Sequence, residues 1–341
     1  MAATEKKVTM KDIAAEFGVS IVTVSKALAG KDGVGDQLRQ DIIDRAHELG
    51  YVFKKGVDRA GTRNVAIVIA ERFIGEDSFY QKVYQRILLE LTRRNYVAIL
   101  EAVRQEDEEK GELPKLVALS SIDQIIVIGE ISNAYLNAIV KTGIGCILFD
   151  FENEDYDMDS VLSDNVNGGY LLTRHLVRSG CKTVGFVGNH LATRSNLDRY
   201  VGFRKYLIAN SMAFDEKWLV SDRDMNGIDI DLVLPEALPD GFVCACDLTA
   251  YRLIRALREK GFSVPEDVAV VGYDDYANNK LDGVELTTYH VNVEEMISQC
   301  MNMLEQHCEN PDYRYGTVLS YGWLVERYTG RYHGKPDSGR G

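Results

Sequence analysis

From residue 64 onward, short apolar runs alternate with amphipathic segments of helical period, and no other feature narrows the fold as much. The runs at 64–70, 96–102, 124–128 and 146–151 are apolar almost throughout, as strands buried on both faces must be. Helical patterns fill the intervals near 79–94, 106–120 and 132–141; the charge-dense run 104–112 reads as a solvated helix start. A second series follows the acidic stretch 152–159. Its strands lie near 183–187, 241–246 and 268–272, and its helices near 166–179, 196–210 and 247–260. Repeated strand–helix–strand units build a parallel sheet covered on both faces. Two such series give an α/β body of two doubly wound lobes with a cleft between them.

In doubly wound sheets ligands sit at the carboxyl ends of the strands. That rule selects Phe79 and Tyr80 after the first strand and Asp150 at the end of the fourth. In the second series it selects Asp247 after 241–246, Asp274 after the run ending Val-Gly-Tyr, and Arg199 early in the helix that follows Gly188. Carboxylates and an arginine fix hydroxyls by paired hydrogen bonds, and an aromatic ring stacks on an apolar sugar or base face. Taken singly, each residue also fits an ordinary role: aspartates after strands cap helices, and aromatics near strand ends fill cores.

The first 52 residues read differently. Residues 8–30, VTMKDIAAEFGVSIVTVSKALAG, form two short helical patterns joined by a tight turn. Thr9 can cap a first helix over 11–17, whose Ile13, Ala14 and Phe17 share one face. Gly18 suits the left-handed turn, Val19 the corner, and Ser20 the N-cap of a second helix. Val24, Ala27 and Leu28 make that helix's buried stripe, and a third helix over 36–49 adds Leu38, Ile42, Ile43, Ala46 and Leu49. This is the layout of a helix-turn-helix, whose second helix enters a DNA major groove. The candidate DNA contacts are Thr9, Ser20, Ile21, Val22, Thr23, Ser25, Lys26 and Lys31. Hydroxyls and Lys26 suit phosphates or a guanine, and Ile21 and Val22 suit thymine methyls. Ile21 is also spaced to join Val24 and Leu28 in the core, and the sequence leaves both readings open.

A net charge of −13 looks wrong for a DNA binder. Its distribution removes the difficulty. Residues 1–63 carry 11 Lys and Arg against 9 Asp and Glu, a net of +2; the remainder carries 28 against 43, a net of −15. A basic local face governs docking, while the acidic body lowers non-specific affinity. The six cysteines contain no Cys-x-x-Cys pair, and His307-Cys308 lacks partners at metal-ligand spacing, so neither a metal nor another cofactor is expected. Cys244 and Cys246 alternate within the expected strand 241–246 and read as small buried hydrophobes facing the same way. No apolar run reaches membrane length and the N-terminus has no signal-peptide pattern, so a cytoplasmic protein is expected. The Gly- and charge-rich segment 333–341 reads as a disordered tail.

Residues 8–30, with His47-Glu48-Leu49-Gly50-Tyr51, resemble the headpiece of the LacI/GalR family of bacterial transcription regulators. The body is similar to that family too. Ser78-Phe79-Tyr80, Asp164-Asn165 with Gly168-Gly169 and His175-Leu176, and Gly180-Cys181-Lys182 match its segments. So do Arg199 with Gly202-Phe203, Val264-Pro265-Glu266-Asp267-Val268 through Gly272-Tyr273-Asp274-Asp275, Leu286-Thr287-Thr288 and Leu324-Val325-Glu326-Arg327. The resemblance covers about residues 8–330. It implies a periplasmic-binding-protein-like body in which Arg199 and Asp274 contact the effector. It also implies a homodimer, or a tetramer, on a near-palindromic double-stranded operator, with a sugar, sugar phosphate or nucleobase as effector and with no membrane partner. The helices near 79–94 and 274–283 are candidates for dimer contacts. The expected organisation is a headpiece at 1–52, a linker at 53–63, a first lobe at 64–162 with 293–320, a second at 163–292 with 321–332, and the tail.

Two departures stand out. The linker 53–63 is shorter than the family's and lacks the leucine that wedges into the minor groove. Val57 is the candidate substitute and Ala60 the other hinge position, while Gly56 and Gly61 each disfavour helix by about 1 kcal/mol relative to Ala. Cys246 stands where the family often has Asn, which changes the hydrogen-bond pattern offered to a ligand. Other function classes fare worse. A nucleotide-dependent α/β enzyme with an accessory DNA-binding domain would need a phosphate loop or a Gly-x-Gly-x-x-Gly after the first strand, and neither is present. No catalytic residues are expected. A secreted solute-binding protein would need a signal peptide and no headpiece.

Overall fold

In a computed structural model of the chain, the described residues are 9–28, 33–49, 51, 63–75, 79–113, 115, 117, 122–225, 227–276, 283–310, 313 and 315–332. The chain divides into two compact units, Met1–Gly61 and Thr62–Gly341.

The first unit holds α1 (Met10–Glu16), α2 (Ile21–Leu28) and α3 (Asp36–Glu48). Its core is small: Ile13, Val24, Ala27 and Ile42 are fully buried, with Ala14, Val34 and Ala46 beside them. The caps are those the side chains dictate. The Thr9 N–H donates to the Asp12 carboxylate over 2.8 Å, and the Ser20 hydroxyl oxygen accepts the Thr23 N–H over 3.0 Å. Gly18 takes φ +62° between the two helices.

The second unit contains two six-stranded sheets. The strands of the first are β1 (Arg63–Ala70), β2 (Tyr96–Val103), β3 (Gln124–Ile128), β4 (Gly145–Phe149), β5 (Asp159–Ser163) and β11 (Thr317–Ser320). They lie in the order β11-β5-β4-β3-β1-β2, all parallel. Helices α4 (Phe79–Arg93), α5 (Gln105–Lys110), α6 (Asn133–Val140) and α10 (Val293–Glu309) accompany this lobe. The second sheet comprises β6 (Val184–Val187), β7 (Leu219–Val220), β8 (Gly241–Cys244), β9 (Ala269–Asp274), β10 (Thr287–His290) and β12 (Trp323–Val325). Its order is β12-β10-β9-β8-β6-β7, with only the β10–β12 pair antiparallel. Helices α7 (Asn165–Arg178), α8 (Arg194–Ala209) and α9 (Asp247–Glu259) belong to it. The chain passes between the lobes three times, after Ser163, after His290 and after Ser320. In each sheet the strand order reverses in the middle, between β1 and β3 and between β6 and β8, and opens a crevice at the carboxyl ends.

Close packing fixes α8. A methyl group at Gly169 would lie 2.1 Å from the Arg199 carbonyl oxygen, and one at Gly202 would lie 2.0 Å from that of Val166. Only hydrogen fits at either place, so α7 and α8 touch backbone to backbone and hold Arg199 in register with Asn165.

Several details differ from the sequence reading. The fourth strand stops at Phe149, so Asp150 follows it. The strand expected at 241–246 stops at Cys244, and Cys246 caps α9 instead. Cys246 is therefore not a core residue in register with Cys244. Its sulfur lies 3.2 Å from the Thr249 hydroxyl, a contact that draws it into the helix N-terminus. Within the helix expected over 106–120, Gln105–Lys110 forms a short helix closed by Gly111 at φ +63°, Lys115 and Val117 are again helical, and residues 114, 116 and 118–120 lie outside the described residues. The helix suggested near 274–283 cannot begin at Asp274, which ends β9; residues 277–282 lie outside the described residues. β5 starts only at the last residue of the acidic stretch, β10 and β11 are short strands with polar residues among the apolar ones, and β12 is only three residues long. Lys31, Val57, Ala60, nearly all of the linker and the tail also lie outside the described residues.

Candidate functional site

The carboxyl ends of both sheets present polar side chains to each other. On the first lobe, the Tyr80 hydroxyl donates to Asp150 Oδ2 over 2.8 Å. Asp150 is buried and its backbone is left-handed, at φ +68°. The Phe79 ring meets Tyr80 at 5.4 Å and, from across the cleft, Tyr276 at 5.9 Å. On the second lobe, Arg199 is buried under four contacts. Its Nε donates to Asn165 Oδ1 over 2.8 Å and its Nη1 to the Ala245 carbonyl over 2.6 Å. Its Nη2 lies 3.5 Å from Asp274 Oδ1, and its guanidinium stacks 3.8 Å from the centre of the Tyr273 ring. Asp274 is left-handed as well, at φ +110°. Non-glycine residues pay about 1–3 kcal/mol for such backbone, and strain of this kind gathers at ligand sites.

The electrostatics join the two halves. Burial pushes the Asp274 carboxyl up from the usual carboxylate range; Arg199 opposes this and Asp150, on the other lobe, adds to it. Burial likewise raises Asp150, against Arg199 and the Tyr80 hydrogen bond. Burial and then Asp150 hold the Tyr80 hydroxyl well above its ordinary value. These groups are dry, and a bound molecule would replace the water they have lost with hydrogen bonds.

Four of the six expected cleft residues, Tyr80, Asp150, Arg199 and Asp274, form this electrostatic group, with Phe79 at its rim. Asp247 is occupied otherwise: its Oδ1 accepts the Thr288 hydroxyl over 2.6 Å, and burial holds its carboxyl well above the usual range. Sequence reasoning did not single out Arg223, and Tyr273 and Asn165 entered only through the resemblance. Arg199 alone can be read from its position; its supports come from different elements and have no local signature. The lobes also touch at the rims. The Arg194 N–H donates to Glu130 Oε2 over 2.8 Å, its guanidinium pairs with Glu152 and Glu154 at 2.8 and 2.9 Å, and Lys82 Nζ donates to the Tyr276 carbonyl over 2.7 Å.

In the first unit, Ile21 and Val22 are 45% and 64% exposed, while Val24 and Ala27 are fully buried. Ile21 is therefore on the outer face of α2 and not in the core. Lys26 is exposed, and Thr23 and Ser25 are half-buried.

A two-lobed α/β body with a polar cleft, attached to a separate helix-turn-helix unit, defines the class: a ligand-responsive, DNA-binding regulator. The comparisons with known proteins agree. Residues 9–53 match the family described as Bacterial regulatory proteins, lacI family, and residues 173–329 match the Periplasmic binding protein-like domain. The chain is 25% identical over 333 residues to the HTH-type transcriptional repressor PurR of Actinobacillus pleuropneumoniae, covering 94% of this chain and 97% of the relative. It is 27% identical over 337 residues to the HTH-type transcriptional regulator RegA of Clostridium saccharobutylicum, covering 94% and 98%. Among solved structures, a CelR–cellobiose complex aligns with a TM-score of 0.66 at 22% identity, over 94% of this chain and 99% of that one. A lac repressor dimer bound to operator aligns at 0.65 and 19%, over 95% and 99%. Residues 9–53 thus carry a DNA-binding domain of the LacI family and residues 173–329 a periplasmic-binding-protein-like domain, and the chain is a DNA-binding transcriptional regulator with a ligand-binding body; its relatives regulate transcription and are not enzymes.

Proposed function

We propose that the protein is a repressor that binds a near-palindromic operator as a homodimer and is controlled by a sugar or sugar derivative in the cleft. The observation that carries this is the convergence of Tyr80 and Asp150 from one lobe on Arg199 and Asp274 from the other. Paired acceptors and donors of this kind match groups that both donate and accept, which is the pattern of adjacent sugar hydroxyls. The solved relatives include one with cellobiose and one from Enterococcus faecium with ribose. Purine-type effectors are the second reading, favoured by the PurR relatives and by the rings of Phe79 and Tyr80. Asp247 acts at one remove by holding Thr288. On DNA, Ser20 caps α2, Thr9, Thr23, Ser25, Lys26 and Lys31 meet phosphates, and Ile21 and Val22 meet bases. Val57 and Ala60 serve as hinge positions. The lobes take the ranges expected from the sequence, and the protein acts in the cytoplasm.

In vitro selection of the full chain on random duplex DNA, followed by footprinting, tests the DNA half. A protected palindrome is expected, and binding without a two-fold site contradicts the reading. A screen of sugars, sugar phosphates and nucleobases against the selected complex tests the effector half.

A further inference from the structure

Beside Asp274, at the carboxyl end of β7, lies a second arginine that the family resemblance does not assign. Arg223 is held by Asp222, a fully buried carboxylate. Asp222 accepts the Asn189 N–H over 2.9 Å, the Thr249 hydroxyl over 2.5 Å, and Arg223 Nε and Nη2 over 3.1 and 2.8 Å. A carboxylate offers about four lone-pair sites, so Asp222 is saturated and the guanidinium plane is fixed. Arg223 Nη2 also lies 3.7 Å from the Cys246 sulfur. Its Nη1 donates to no described residue, and the side chain stays 21% exposed. Of the neighbours of this edge, Asn189 and Cys246 follow β6 and β8 and Asp274 ends β9, so it faces the same crevice, and its charge is felt at Asp274.

We infer that Arg223 is a further effector-contacting residue that selects a polyhydroxylated molecule carrying an anionic, acceptor-only group, a carboxylate or a phosphate. This rests on the sugar reading above and names its class. The cleft is polarised. Around Tyr80, Asp150, Arg199 and Asp274 it mixes donors and acceptors, which suits hydroxyls. At Arg223 it offers N–H donors and a thiol, and the acceptors beside it are already engaged: Asp222 by Arg223, Asn189 and Thr249, and Asn189 Oδ1 by the Leu191 N–H. An amide in place of Cys246 would supply both a donor and an acceptor; the thiol is weak as either. A hydroxyl there would use only half its capacity, whereas a carboxylate or phosphate oxygen gains a charge-assisted bond to a guanidinium already locked in place.

The test is calorimetric titration of the full chain with glucose, glucuronate and glucose 6-phosphate, and with galactose, galacturonate and galactose 6-phosphate. At least one anionic sugar is expected to bind tenfold or more tightly than its neutral parent; whether carboxylate or phosphate wins identifies the source of the charge. Arg223→Gln should abolish that preference, so that the anionic sugar binds no more tightly than its neutral parent. Because Arg223→Gln leaves Asp222 buried without its partner, Asp222→Asn/Arg223→Gln provides the same test without a stranded charge. Equal or tighter binding of the neutral sugars, or a preference that survives both variants, overturns the inference while leaving the sugar reading intact. Binding of none of the six sugars overturns both.

Discussion

The two recognition surfaces of this molecule are built on opposite principles. On α2 the candidate contacts lie in water: Val22 is 64% exposed and Lys26 is exposed, with the core residues behind them. In the cleft the candidate contacts are 6% and 7% exposed at Arg199 and Asp274 and already bonded to one another or to backbone. Exposed charge is screened by salt and binds through counterion release. Buried groups are screened far less and bind through oriented hydrogen bonds. A single chain thus carries one surface tuned to ionic strength and one insulated from it.

Ionic strength gives the largest expected contrast. Between 50 and 200 mM salt, operator affinity should fall by about 10³ or more, while affinity for the sugar bound in the cleft should change by no more than roughly threefold. Parallel salt slopes in filter binding and calorimetry would erase the distinction. Next comes Gly202→Val. With the Val166 carbonyl oxygen only 2.0 Å from where its Cβ must go, α7 and α8 have to separate. The body should lose about 3 kcal/mol or more, and the first unit's melting should be unchanged. Two transitions in calorimetry separate these effects, and a stable body would show that the helix contact has been misjudged. A smaller effect is expected from Lys26→Ala: roughly tenfold weaker DNA binding and a salt slope lowered by about one, with cleft binding untouched.

The smallest contrast concerns pH. Burial lowers the affinity of His175 for a proton, against Glu326 at 3.7 Å. The unfolded chain takes up that proton near pH 6.5, so the body loses stability as the pH falls through 6.5 toward the lower folded value. His175→Gln should flatten this part of the melting-temperature profile, and an unchanged profile would assign the loss to other groups.

The same contrast explains what the sequence disclosed. The first unit's core and caps follow from local spacing, and Ser20 caps α2 as its position suggests. The long apolar strands were equally legible, because burial on both faces leaves a continuous run. Tyr80, Asp150, Arg199 and Asp274 could be picked because strand ends are marked in the pattern. β5, β10, β11 and β12 were not legible: they are only three to five residues long, and Thr287, Thr288 and Ser160 are polar residues satisfied by partners distant in sequence. Cys246 was misplaced because a two-residue difference at a strand end decides between sheet and helix cap. Arg223 was invisible, since only the folded chain brings Thr249 and Asn189 to the Asp222 carboxylate that holds it.

The most direct measurement is operator affinity of the full chain, on its selected site, titrated with the cleft ligand in the wild type and in Arg199→Ala. The wild type should shift at least tenfold, and the variant should bind DNA as tightly as the unliganded wild type without responding. An equal shift in both would contradict the assignment of the cleft as the place where the signal is received.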